Sequence, residues 1–307
     1  MLYKLKKFGC EDDFWRIRTF LRECFLSSNK RKKSWLPAEL DYWRWHVNRN
    51  CFEREIDDLI WFWESDAGEI MAVMHPAGRR DAVIDIHPNY KTVKFEAEII
   101  ETALQYLSKK NDKGENILYI WSHRDDKLRN EILQSKGFER QDINTRERYY
   151  VLSNIPQIKI PKGFILRSQG SGDDVVSRSW ASWTAFHPDE PDEKYEGWEW
   201  FKNLQNAPLY RRDLDVVMES PEGKVVGFAT VWFDDYLRTA LFEPVGIDKD
   251  FHRQGLGRAL MLEGLRRSAE IGATLAIVVS EEEPAHQFYQ SVGFTDYDIC
   301  DAWLKSW

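Results

Sequence analysis

The chain is poor in cysteine. Cys10, Cys24, Cys51 and Cys300 are spread over 307 residues, and no two form a C-x-x-C pair or a metal-binding spacing. Disulfide scaffolding and a zinc centre therefore have no support, and the thiols read as isolated groups in a reducing cytoplasm. The seven histidines are scattered and no H-E-x-x-H occurs, so no metal is expected. No apolar run nears the about 18 residues that a membrane span needs. The start, MLYKLKKFGCEDDF, is too short in apolar residues for a secretory signal. No membrane association is expected, and a cytoplasmic location is.

Basic charge is scarce in the second half. Residues 1–150 hold 27 Lys and Arg against 26 Asp and Glu, a balance of +1. Of the totals of 43 and 51, the remainder holds 16 basic and 25 acidic residues, a balance of −9. No broad nucleic-acid footprint is present, so no nucleic-acid partner is expected. The one basic run, Lys30-Arg31-Lys32-Lys33, reads as a solvated loop between helices. The acidic second half would favour a cationic substrate such as an amine.

The chain is rich in tryptophan: 14 residues, read mainly as core and interface packing. Its length suits two domains of about 150 residues. Leu2–Phe8 alternates like a strand. Glu11–Leu26 carries a helical stripe of Phe14, Ile17, Phe20, Leu21, Cys24 and Phe25. Pro37 opens a helix through about Asn48. A hairpin turns at Asp66-Ala67-Gly68, and strands and helices then alternate to Leu152. The segment SNIPQIKIPKG, with Pro156 and Pro161, reads as a linker. The domains expected are thus 1–153 and 163–307, joined by 154–162. The second domain repeats the order of the first, with helices over Gly172–Phe186 and Glu193–Asn206, a hairpin at Pro221-Glu222-Gly223, and a last strand over Tyr297–Ala302.

The halves also match in detail. Gln134-Ser135-Lys136-Gly137-Phe138 mirrors Gln290-Ser291-Val292-Gly293-Phe294, and IHPNYKTVKFEAEI mirrors IDKDFHRQGLGRAL. In that register Lys94 and Glu96 stand at the positions of Gly255 and Gly257, and Leu133 at that of Tyr289.

The stretch Leu241–Ile271 organises the second domain. A strand, LFEPVGI, contains Pro244 and Gly246, both poor ladder residues, so a bulge or splayed edge is expected. The turn HRQGLG then runs into a helix with Leu260, Leu262, Leu265 and Ile271 on it. A glycine turn at a helix N-terminus presents bare amides and positive potential, which suits a pyrophosphate. Taken alone it also suits a plain tight turn.

EPVGIDKDFHRQGLGRALM resembles the acetyl-CoA-binding motif of the GNAT superfamily of N-acetyltransferases. PAHQFYQSVGF (Pro284–Phe294) resembles that family's closing helix. The resemblance is strong over about 163–307. His252 and Glu283 depart from it, standing where the family usually has Arg or Gln and often Asn. It implies an α/β (α+β) fold of two tandem GNAT-like domains, each a mixed, mostly antiparallel twisted sheet flanked by helices. Tandem members pair one active copy with one degenerate copy. Here the first copy is the degenerate one, because side chains at both glycine positions would crowd a pyrophosphate and Glu96 would repel it.

By resemblance, Val245, Gly246 and Ile247 bind the pantetheine arm through their backbone. The backbone of Arg253, Gln254, Gly255, Leu256, Gly257 and Arg258 meets the pyrophosphate. Tyr289 stands beside the sulfur and protonates the departing thiolate, or else packs under Phe294. Glu243, the only carboxylate near the pantetheine segment, is the general base, directly or through water, or else a solvent-facing strand residue. Asp189, Glu190, Asp192 and Glu193 either attract an amine or form a solvated loop. The activity implied is acetyl transfer from acetyl-CoA, a co-substrate, to a primary amine of a small molecule. A non-catalytic acyl-CoA-binding scaffold and an acyltransferase on protein or peptide amines stay open beside it. Oligomeric state is not legible.

Overall fold

A computed structural model describes residues 2–52, 56–78, 81–170 and 172–307. The chain divides into two compact units, residues 1–147 with 298–307, and residues 148–297.

The first unit contains β1 (Tyr3–Lys7), α1 (Glu11–Ser27), α2 (Pro37–Tyr42), β2 (Trp61–Ser65), β3 (Ile70–His75), β4 (Asp81–Ile86), α3 (Val93–Tyr106), β5 (Lys109–Lys110), β6 (Asn116–His123), α4 (Lys127–Ser135) and most of β7 (Glu139–Val151). The second contains β8 (Ile165–Ser168), α5 (Asp173–Phe186), α6 (Trp200–Gln205), β9 (Asp215–Glu219), β10 (Val225–Asp234), β11 (Thr239–Ile247), α7 (Leu256–Glu270), β12 (Leu275–Ser280) and α8 (Glu283–Val292). The last strand, β13 (Asp296–Ser306), ends in the first unit, where Cys300–Ser306 runs antiparallel to His123–Ile117 of β6.

The strands of each unit follow one plan. β1, β2, β3 and β4 pair antiparallel in sequence, and β4 then pairs parallel with β6 at Asp81–Tyr119 and Ala82–Ile120. In the second unit β8, β9, β10 and β11 pair antiparallel, and β11 then pairs parallel with β12. The sequence repeat is thus a repeat of topology, with the short parallel contact at the same place in each copy. Each parallel pair is joined by a crossover helix, α3 or α7, as a parallel connection requires.

Apolar periodicity explains the layers. α1 buries Phe14, Ile17, Phe20, Leu21, Cys24 and Phe25 along one stripe, and Glu11, Asp12 and Asp13 in its first turn complement the helix dipole. α7 buries Leu256, Leu260 and Leu265 against β10 and β11 residues Val231 and Phe242.

Two expected helices differ. The segment after Pro37 is α-helical only to Tyr42, then continues with π-helical winding over Trp43–Cys51. Packing of Arg44 and Trp45 on the Phe14 ring accompanies that winding. The helix expected over Glu193–Asn206 is a short 3₁₀ turn at Asp192–Lys194, a break, and α6. Gly197, at φ +100°, interrupts it in a conformation no helix uses. Among the described residues, no helix is long and apolar enough to cross a membrane.

Candidate active site

β11 opens the site. Ala229 of β10 faces Val245, but Val231 faces Phe242, so Glu243 and Pro244 together oppose Thr230 alone. The extra residue is a β-bulge, which bends the strand and re-aims the side chains on it. On its other edge β11 pairs with β12 only at Thr239–Leu241 against Leu275–Ile277. Beyond Leu241 the two parallel strands share no further pairing among the described residues, and Glu243–Ile247 is half-buried. The bulge supplies what Pro244 and Gly246 lead one to expect of this strand.

Glycine is required at two places. A Cβ on Gly246 would lie 2.6 Å from Phe228 Cζ and 2.8 Å from Ala185 Cβ, so the strand passes against α5 with no room for a side chain. Gly255 is left-handed at φ +83° and forms the N-cap of α7. It has no side chain to cap the first-turn amides, which therefore stay open to an anion. Gly257 is tight rather than strained: a Cβ there would meet Phe288 at 3.0 Å.

The remaining turn residues divide by role. Leu256 is buried in the core, so only its backbone is on offer. Arg253, Gln254 and Arg258 are exposed, and Arg253 is left-handed at φ +61°. The Arg258 guanidinium donates to the Ser291 carbonyl on α8. The His252 ring folds back, its Nε2 3.0 Å from the Ile247 carbonyl oxygen. Glu283 sits in the first turn of α8, where its Oε1 accepts from Gln287 at 3.3 Å.

Tyr289 comes from α8 and is 8% exposed, packed beside Phe288 and Phe294 with centroids 5.1 and 6.3 Å away. Burial first, and the negative charge of Glu243 second, push its hydroxyl well above the ordinary 10.0. The fold therefore brings Glu243 and Tyr289, 46 positions apart, within electrostatic reach. The hydroxyl is protonated at neutral pH, as an unshifted tyrosine also is. Trp232, fully buried, donates its indole N–H to the Glu243 carbonyl and fixes the bulge from the β10 side.

Sequence reasoning missed two buried polar groups. Ser280 Oγ, at the end of β12, lies 2.6 Å from His286 Nδ1 on α8, one turn before Tyr289. His286 stood inside the quoted motif, yet scattered histidines carried no signal. Arg178 of α5 lies 3.2 Å from Asp215, which also accepts from Thr230 at 3.1 Å and Tyr210 at 3.0 Å. No spacing in the chain announces that network. The acidic loop is exposed at Asp189, Glu190, Asp192 and Glu193. Lys194 lies 2.9 Å from Glu190, and Lys249 3.9 Å from Asp189.

In the first unit, the residue standing at the position of Gly257 is Glu96, fully buried in α3. Its carboxylate pairs with Arg129 on α4, with Lys91 Nζ 3.8 Å away. Glu96, which the sequence repeat sets against Gly257, thus holds an internal ion pair as the fourth residue of α3, whereas Gly257 is the second residue of α7.

A splayed parallel pair, a bulged strand and a glycine-opened helix thus meet at one end of the second unit's sheet. Residues 173–294, within the second unit, match the acetyltransferase (GNAT) family. A mycothiol acetyltransferase of Geodermatophilus obscurus is 26% identical over 214 residues, 63% of this chain and 65% of the relative. The chain thus spans just under two thirds of that relative's length. Another mycothiol acetyltransferase, from Saccharomonospora viridis, is 24% identical over 258 residues, 75% of this chain and 78% of the relative. Among solved structures, a GCN5-related N-acetyltransferase from Sphaerobacter thermophilus aligns with a TM-score of 0.68 at 12% identity, covering 99% of this chain and 95% of that one. A tandem GNAT protein from the clavulanic acid biosynthesis pathway aligns at 0.65 and 15%, covering 99% and 98%. At such identities the likeness is one of fold.

Proposed function

We propose that the second unit transfers an acetyl group from acetyl-CoA to a primary amine of a small molecule. The observation that carries this reading is the bulge at Glu243 and Pro244 where β11 leaves β12, with the Glu243 charge felt at the Tyr289 hydroxyl. The strand at Val245, Gly246 and Ile247 offers backbone groups to a pantetheine arm, with Gly246 letting the strand pack closely against α5. The turn from Arg253 to Arg258 offers amides to a pyrophosphate. An amide near Val245 polarises the thioester oxygen. Glu243 takes a proton from the attacking amine, directly or through water. The new C–N bond forms, the C–S bond breaks, and the Tyr289 hydroxyl gives its proton to the sulfur.

Two relatives named mycothiol acetyltransferase support acetyl as the group moved and a small molecule as acceptor. The acidic balance of the second half supports an amine, which arrives largely as a cation and must lose a proton to react. The buried Glu96–Arg129 pair supports a single acyl-CoA site per chain, in the second unit. A panel of amines incubated with acetyl-CoA, with free thiol followed, tests the proposal. No thiol release above the amine-free rate with any acceptor refutes it.

A further inference from the structure

Between residues 156–161 and the start of α7 lies a pocket of about 590 Å³, within the roughly 300–1,000 Å³ of small-molecule sites. Gln157, Lys159 and Ile160 line one side, and Gln254, Gly255 and Arg258 the other. Both charged groups are cations, and the described lining includes no carboxylate. That runs against the trend of residues 151–307, where acidic side chains outnumber basic ones 25 to 16.

The cations of the pocket are also uncompensated. Elsewhere in the unit Arg167 is paired with Asp174 and Glu219, and Arg266 with Glu263 and Glu270. Among the described residues, Lys159 has no ion-pair or hydrogen-bond partner, and the same holds for the Gln157 and Gln254 side chains. Arg258 donates to a neutral carbonyl.

The segment that presents Lys159 is pinned. Ile155 and Ile158 pack on the core of the second unit. The Leu152 amide donates to Thr274 O at 3.0 Å, and Tyr150 Oη to Asn154 O at 2.7 Å. Pro156 and Pro161 restrict the backbone on either side of the lysine. An unpaired cation on an anchored segment, facing a second cation across a pocket floored by Ala259 and Leu262, suits a ligand that is part apolar ring and part phosphate.

We propose that this linker pocket binds the adenosine 3′-phosphate end of acyl-CoA, with Lys159 and Arg258 contacting the 3′-phosphate. The inference rests on the acyl-CoA reading above and goes beyond it. It makes the linker a specificity element that selects CoA over 3′-dephospho-CoA. The pocket borders the turn assigned to the pyrophosphate, so one ligand reaches both. Without Lys159 the amides of the turn still hold the pyrophosphate, but nothing on the linker side reads the phosphate beyond it.

The test is a pair of calorimetric titrations on the full chain, with acetyl-CoA and with 3′-dephospho-acetyl-CoA, for wild type, Lys159→Ala and Lys159→Glu. Lys159 is exposed, so melting temperatures should match the wild type. Wild type should bind acetyl-CoA about tenfold more tightly, as one charge-assisted contact provides. Lys159→Ala should lose most of that preference by weakening acetyl-CoA alone, and Lys159→Glu should reverse it. A wild type indifferent to the 3′-phosphate, or a preference that survives both substitutions, overturns the linker site and leaves the acyl-CoA reading standing. Failure of both compounds to bind wild type overturns both readings.

Discussion

Replacing Tyr289 by Phe removes one hydroxyl and leaves the ring. The ring packs beside Phe288 and Phe294 in the main core of the second unit, and Phe preserves those contacts. Stability and acetyl-CoA binding should barely change. The rate should fall wherever departure of the thiolate limits turnover, by less than the loss from Glu243→Gln, because a thiolate can leave unprotonated. Tyr289→Ala is the opposite perturbation. It empties a buried aromatic site, which costs roughly 3–5 kcal/mol and, for a unit near 150 residues, about 6–20 °C in Tm. Both burial and Glu243 hold the hydroxyl above 10.0, so the donor persists through neutral and mildly alkaline pH and is lost only as pH rises through the raised value. Steady-state rates and melting curves for the two variants separate the roles. A Tyr289→Phe enzyme with wild-type kcat and an unchanged pH profile refutes the proton-donor role and leaves Tyr289 a core residue.

Glu243→Gln keeps size and removes the base, so turnover should drop by about 10²–10⁴-fold with acetyl-CoA affinity nearly unchanged; a loss of only a few-fold at neutral pH excludes Glu243 as base. Titration with acetyl-CoA should give one equivalent per chain, abolished by Gly257→Glu, and two equivalents would mean that the first unit binds as well. In the first unit, burial lowers the His123 pKa from 6.5 to about 3, with Lys33, Lys32 and Arg129 adding to the effect. The unfolded chain then binds a proton that the folded one refuses, so stability present above about pH 6.5 is lost as pH falls towards 3. Urea midpoints of His123→Gln should fall less steeply over that window, and an unchanged slope would show that His123 does not drive it.

The parts legible in the sequence were those set by neighbours along the chain. Pro244 and Gly246 announced the bulge because neither suits a regular ladder, and Gly255 announced the turn into α7 because few residues accept its backbone. The repeat register pointed to Glu96. What it could not supply was the partner: a glutamate expected to repel phosphate turns out to be neutralised by Arg129, 33 positions away. The same limit applies to Ser280 with His286 and to Arg178 with Asp215, which are joined by folding alone. The helix expected over Glu193–Asn206 fails for a local reason, since Gly197 takes a backbone conformation that no helix uses.

The buried Glu96–Arg129 contact has a consequence for how each half responds to metabolite levels. A protein that binds ligand only when folded gains about 2.7 kcal/mol at a hundredfold excess over Kd, so its persistence follows concentration. A half whose anion is a side chain of the same chain has that occupant at all times and at fixed stoichiometry. On the acyl-CoA reading proposed above, the stability of the first unit should not depend on acetyl-CoA supply, while that of the second should rise with it. Limited proteolysis without acetyl-CoA should then cut the second unit first, and added acetyl-CoA should slow that cut.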